Sequence, residues 1–273
     1  HALQDQHFDL QYISSTYFVD EDQRMGVLGL IEGDAVFTEQ LYADVLAETD
    51  PRAKEIMSFD ILGFGEYNDA IPDIYRELTY NKYLDGMNFV KYLHTLGGWE
   101  QVNAAYDDPP RSSEHILHPE TYLAGDAPVS VSLMPIYGVW EADWEMVWGE
   151  TFGEFYLRQY LYTQLDVETA NQAAAGWGGD RYLLYRERDT DQQAWVMRHA
   201  WDTPTDTDEF SAAFAQLAAA RLATSAFSLD DTTDCWKSGD GEVMCLRTES
   251  AKGTLAVFAP NLSLARALLD GQA

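Results

Sequence analysis

The sequence predicts an α+β protein: a mostly helical front over residues 1–177, and a smaller back part over 178–273 that reads ββαβββα. Apolar residues recur at helical spacing through most of the front. The run Gly176-Trp177-Gly178-Gly179 breaks that pattern, and period-two alternation follows it.

Residues 1–13 and 21–48 read as two helices joined by an extended stretch, 14–19. Helical patterns continue through 50–100, with Phe59, Phe64, Tyr75, Tyr80, Tyr83, Phe89 and Tyr92 as packing residues and Gly97-Gly98 as the stop. A short helix over 99–106 precedes Asp107-Asp108-Pro109-Pro110, a turn of helix begins at Ser112, and helices follow at 150–165 and 167–175. Beyond the breaker, 180–187 and 194–201 alternate as a hairpin and 207–223 is an alanine-rich helix. Short strands at 233–237, 243–248 and 254–259 lead to a last helix at 261–269. No internal repeat or low-complexity run is present.

A chain of 273 residues can bury a full core, and its 46% apolar and 13% aromatic content marks it as folded despite a net charge of −29. That charge repels nucleic acid and anionic membrane surfaces. No apolar run approaches the length of a membrane-spanning helix. Only five lysines are present, and high acid with low lysine suits a salt-rich or extracellular setting. No Gly-x-Ser-x-Gly elbow or glycine-rich phosphate loop occurs. The carboxylates Asp143 and Glu145, or Glu150 and Glu154, near Trp140, Trp144 and Trp148 leave glycoside chemistry as a weak third option.

The most informative residues lie at the start. His1 opens the segment HALQDQHFDL, and 31 residues later Glu32-Gly33-Asp34-Ala35 sits inside a long amphipathic helix. In zinc peptidases built on a His-Glu-x-x-His helix, the two histidines are one turn apart and face one metal, and the glutamate class draws its third ligand from the next long helix. His1 fits the second histidine and Glu32 the third ligand. On that reading the first histidine and the catalytic glutamate lie just before His1, so the chain is expected to be truncated inside the zinc motif.

Helical phase places Leu28, Ala35, Tyr42 and Leu46 on one stripe together with Glu32 and Glu39. Gly33 weakens a helix, which makes sense where another backbone approaches closely. Asp5 shares a face with His1, Phe8 and Tyr12, which makes it a candidate to hold a ligand ring in place. The plainer alternatives are a solvated His1 and a Glu32 paired with an arginine.

Beyond HALQDQ, the segments Gly97-Gly98-Trp99-Glu100-Gln101-Val102-Asn103-Ala104-Ala105-Tyr106, Pro109 to Tyr122 with its His118-Pro119-Glu120-Thr121-Tyr122, and Gly176 to Tyr182 resemble a group of secreted or surface-attached prokaryotic metallopeptidases. In that gluzincin-like group the zinc helix runs His-Glu-x-x-His-Ala-Leu-Gln-Asp-Gln. The resemblance implies a zincin-like catalytic half and zinc-dependent hydrolysis of peptide or protein substrates by the intact protein. With an incomplete ligand set, the chain as given is expected to bind zinc poorly and to be inactive. The resemblance also implies an oxyanion donor from a downstream histidine or tyrosine, for which His118 and Tyr122 are the candidates. His7 reads as a solvent-facing neighbour on the first helix, and His94 and His199 read as structural. The alternative is a surface or interaction protein that keeps a peptidase-like fold without turnover.

Cys235 and Cys245, the only cysteines, flank a hairpin with a three-residue loop, 239–241, and Gly241 in the left-handed position. That register sets the two directly opposite, within disulfide reach. A bridge implies an oxidising, extracellular or cell-surface location, and two free thiols on facing strands are the alternative.

Overall fold

The computed structural model describes residues 1–50, 73–136 and 144–272. The chain is α+β and divides into two compact units, 1–126 and 127–273. The change of pattern at 176–179, where the sequence suggested a boundary, is a change from helix to strand inside the second unit. Phe59, Phe64, Trp140 and Asp143 lie outside the described residues.

The first unit is helical. It comprises α1 (Ala2–Phe8), α2 (Leu10–Tyr17), α3 (Glu21–Thr49), α4 (Asp73–Tyr80), a π-helical turn (Asn81–Asp85), α5 (Gly86–Asp107), α6 (Ser113–Leu117) and α7 (Pro119–Ala124). Two breaks differ from the sequence reading. The first helix ends at Asp9, whose backbone is left-handed at φ 49° and whose side chain caps α2 by accepting from Tyr12 N–H. The stretch expected to be extended stays helical as far as Tyr17, and within it the Ser14 and Ser15 hydroxyls donate back to the carbonyls of Leu10 and Tyr12. The stop expected at Gly97-Gly98 is present: both residues leave helical backbone, Gly98 taking φ 65°, and they separate α5 into two helical stretches.

The face that α3 buries is not the stripe expected. Its core side carries Met25, Val27, Leu30, Ile31 and Phe37 alongside Gly26, Gly29 and Gly33. Val27, Leu30, Ile31 and Phe37 join Phe89, Val90 and Leu93 of α5 in one cluster. The glycines decide this orientation. A Cβ on Gly33 would stand 2.1 Å from the Gly86 carbonyl carbon, and one on Gly26 would stand 2.5 Å from the Ser112 carbonyl oxygen. The bare helix face therefore takes the closest backbone approach, and the stripe through Ala35, Glu39 and Tyr42 is left on the open side.

The second unit is a seven-stranded antiparallel sheet in the order β1-β2-β3-β7-β6-β5-β4. Its strands are β1 (Trp144–Glu150), β2 (Trp177–Glu187), β3 (Gln193–Trp201), β4 (Phe227–Asp230), β5 (Thr233–Lys237), β6 (Val243–Ser250) and β7 (Gly253–Ala259). Strands β1 and β4 form its edges and were not anticipated. Helices α8 (Gly153–Tyr162), α9 (Val167–Ala174) and α10 (Pro204–Leu222) pack with one face, around Trp177, Trp201, Phe210, Phe214, Trp236 and Phe258. Helix α11 (Leu262–Asp270) covers the other, over Leu183, Tyr185, Val196, Cys245 and Val257. Consecutive residues of β6 serve opposite layers, Met244 and Leu246 one and Val243 and Cys245 the other, as a period-two strand covered on both faces requires.

Cys235 and Cys245 are register partners on β5 and β6 and form a disulfide. Ser238 N–H donates to the Glu242 carbonyl at 2.9 Å, and Gly241 takes φ 112° in the loop between them. Among the described residues, no helix is long and apolar enough to cross a membrane.

Candidate functional site

One set of polar groups of the helical unit converges where α1 meets α3. Phe8 stacks on Tyr106 of α5 at 3.8 Å between ring centroids, which pins α1 to the core and sets His1, its N-cap, over α3. The His1 ring is then held at both nitrogens. Nε2 lies 2.9 Å from Glu32 Oε2 and Nδ1 lies 2.8 Å from Gln4 Oε1.

The orientation of the Gln4 amide is forced by its other contacts. Its nitrogen lies 2.9 Å from the Ile31 carbonyl and 2.8 Å from Asp34 Oδ2, both acceptors, and 2.9 Å from the Tyr106 hydroxyl. The oxygen is therefore the atom that faces His1, and the proton between them belongs to Nδ1. In the neutral ring that leaves a lone pair on Nε2, opposite a carboxylate oxygen. Two lone pairs at hydrogen-bond distance need a proton or a cation between them.

Glu32 projects from α3 and is partly buried, and that burial pushes its carboxyl above the usual carboxylate range. Nearby Lys82, a hydrogen bond from the Tyr83 hydroxyl and the α-amino group work the other way. Tyr83 is itself pushed up, by burial and by the Glu32 charge beside it, which keeps it a donor. The π-helical turn brings Lys82 and Tyr83 to this position. The aromatic run containing Tyr83 reads in sequence as packing residues. No local signal separates it from its neighbours, because its partner lies 51 residues away on another helix.

His1, Gln4, Glu32 and Tyr83 line a cleft of about 910 Å³ bordered by Ala2, Leu3, Ala35, Val36, Glu39, Tyr42 and Thr79 as well. Its walls are mostly apolar, with His1, Glu32, Glu39, Tyr42 and Tyr83 as its ionisable groups. A cleft of this size with a few convergent polar groups has the character of a ligand site.

The other expected residues stand elsewhere. Asp5 is exposed and spends Oδ1 on the Leu10 N–H at 3.1 Å, so it serves the α1–α2 junction. Gln4, one residue earlier and about 100° around the helix, faces His1 in its place. His118 and Tyr122 are not among the cleft residues. The Tyr122 hydroxyl donates to the Asp108 carbonyl at 2.9 Å, its ring packs edge-on against Phe89 and His115, and burial pushes it up to about 12. His118 N-caps α7, with Nδ1 at 3.8 Å from Glu120. His115 is buried, its Nε2 at 2.8 Å from the Asp126 carbonyl, and burial pushes it below the ordinary histidine range. Among the described residues, no group of three or more histidine, cysteine, aspartate or glutamate side chains comes together as a metal cage.

Residues 145–268 match a family described as a domain of unknown function (DUF8575), a span that runs from β1 into α11 and includes none of the cleft residues. No curated protein and no solved structure matches the chain.

Proposed function

We propose that His1 and Glu32 are two ligands of a catalytic zinc centre, completed by a histidine and a general-base glutamate immediately before His1. The intact protein is then a zinc-dependent peptidase of the gluzincin-like type. One observation carries this reading: Nε2 of His1 and Oε2 of Glu32, 31 residues apart in sequence, lie 2.9 Å apart at the wall of an open cleft. An imidazole and a carboxylate are the donors that catalytic zinc takes. Each is fixed from behind, His1 by Gln4 and Glu32 by Tyr83.

Bound there, zinc would lower the pKa of a water to about 7 and polarise a peptide carbonyl. The chain's own residues supply the setting. Gln4 orients the His1 ring, Tyr83 places a hydroxyl donor beside Glu32, and the apolar walls of Leu3, Val36 and Tyr42 accept a peptide's side chains. On this reading the helical unit is the zincin-like catalytic half and the sheet unit an accessory subdomain. The buried disulfide supports an extracellular or cell-surface location.

The test is to express the protein with the residues its gene encodes before His1, then measure zinc by elemental analysis and hydrolysis of a fluorogenic casein. One zinc per chain and turnover in wild type, both lost in Glu32→Gln, is the expected result. A preceding tetrapeptide other than His-Glu-x-x, or zinc retained in full by Glu32→Ala, would overturn it. A second reading, a non-catalytic surface protein that binds peptides in the same cleft, draws on the exposure of Leu3 and Tyr42 at its border, 72% and 60%. Peptide binding without hydrolysis or zinc would favour it.

A further inference from the structure

The Gln4 side chain is 9% exposed, yet every polar atom it owns is engaged, and its partners run in one direction from the core to the cleft. At the inner end the Tyr106 hydroxyl donates to Asp34 Oδ2 at 2.7 Å. Burial and the adjacent Asp34 charge push Tyr106 far above the ordinary tyrosine range, so it remains a donor. Asp34, 6% exposed, accepts in turn from the Gln4 amide, and the Gln4 oxygen faces His1 Nδ1 at 2.8 Å. An amide whose N–H is drawn toward a carboxylate becomes a stronger acceptor at its oxygen, since successive hydrogen bonds polarise one another. A carboxylate placed directly on the ring nitrogen is the usual way to orient a ligand histidine. Here the carboxylate stands one residue back, and a neutral amide bridges it to the ring.

We propose that Gln4 is a positioning residue that fixes His1 in the Nδ1–H form, aiming the Nε2 lone pair at the cleft, and that it passes the influence of the buried Asp34 carboxylate to that ring. The tautomer assignment rests on hydrogen-bond geometry alone. Its consequence for metal affinity rests on the zinc reading above.

The test is long-range nitrogen–proton NMR of the histidine rings at a pH where His1 is neutral, on the protein and on Gln4→Met, which keeps the length of the side chain and removes its polar atoms. Wild type should show His1 with its proton on Nδ1, and Gln4→Met should move it to Nε2. His1 protonated on Nε2 in wild type, or on Nδ1 in a folded Gln4→Met, overturns the assignment. Should Gln4→Met fail to fold, the wild-type spectrum decides on its own.

The second arm titrates zinc chloride calorimetrically into the protein carrying its native preceding residues. Asp34→Asn should keep the tautomer and weaken zinc binding about tenfold, the lower end of what loss of a ligand's supporting partner costs. Equal affinity in Asp34→Asn and wild type overturns the relay. No zinc binding by wild type overturns the zinc reading and leaves the tautomer assignment to the spectra.

Discussion

The two units bury polar groups to different ends. In the sheet unit, Asp180 accepts from the backbone N–H groups of Phe152 and Gly153 and from Trp177 Nε1, so one carboxylate ties the start of α8 to the first residue of β2. His199 lies between β3 and α10, stacked on Trp201 and close to Phe210, with Nδ1 at 3.2 Å from the Thr254 hydroxyl. Those groups face inward, Asp180 and His199 both being buried. In the helical unit the buried polar chain of Tyr106, Asp34 and Gln4 ends on a half-exposed histidine at a cleft wall. A buried polar group whose partners lead to solvent has a use that closing the fold does not explain. That difference, rather than burial itself, singles out the helical unit.

The sharpest way to break the comparison is to destroy the surface on which the cleft is built. Gly33→Leu would drive a side chain into the Gly86 carbonyl, a backbone group with no rotamer to yield. Overpacking a core costs roughly 1–3 kcal/mol where neighbours can shift, so at least about 3 kcal/mol is expected here. Urea denaturation followed by the circular dichroism of the helices should show the loss. A variant as stable as wild type would mean that α3 and α5 do not approach as described.

The sheet unit should announce itself in acid. Burial holds His199 at about 3, well below the value near 6.5 of an unfolded histidine, so the unfolded chain binds a proton that the folded chain refuses. Its contribution is therefore present in full above about pH 6.5 and is lost as pH falls from there toward 3, at roughly 1.4 kcal/mol per unit. By pH 4 the loss is about 3 kcal/mol. His199→Leu should flatten the fall in stability over that window, measured by denaturant titration at several pH values. An unchanged slope would mean that His199 is charged or solvated in the folded protein.

Next in size is the disulfide. Closing so short a loop stabilises on the order of 2–3 kcal/mol in the chain-entropy description. The reduced protein should melt lower but still fold, because the bridge lies under α11 in a layer with many other apolar contacts. Thiol titration of the unfolded, unreduced protein should find no free cysteine. Two free thiols there would remove the structural support for an oxidising location.

What was legible in the sequence was whatever a local rule controls. The hairpin register that opposes Cys235 to Cys245 follows from Gly241 and the three-residue loop, and the structure has that register. The approach of His1 Nε2 to Glu32 Oε2, at 2.9 Å, is the one that the expected pairing of these two residues requires. Phase errors arose where tertiary packing chose between faces. The hydrophobic stripe of α3 looked like its core side until Gly26, Gly29 and Gly33 are seen to admit Ser112, Ile116 and Gly86. Sequence favours Asp5 over Gln4, because a carboxylate is the commoner partner for a histidine. Only the position of α3 shows which of the two adjacent residues is turned inward. Tyr83 could not have been found at all, since a π-helical turn rather than an α-helical one sets its direction.

Tyr83 also offers the smallest and most discriminating change to the fold. The Tyr83→Phe variant loses one hydroxyl from a partly exposed ring and keeps the rest of its packing, so stability should stay within about 0.5 kcal/mol of wild type. What should change is Glu32, which loses a donor that favours its charged form and is left with burial opposed by Lys82. If Glu32 is a ligand, the protein with its native preceding residues should bind zinc about tenfold more weakly as Tyr83→Phe, with an unchanged melting temperature. A variant that melts lower and binds zinc as well as wild type would reverse the comparison. The cleft's polar groups would then be stapling the helical unit together, as Asp180 does in the sheet unit, and the hydroxyl on Glu32 would be one more structural hydrogen bond.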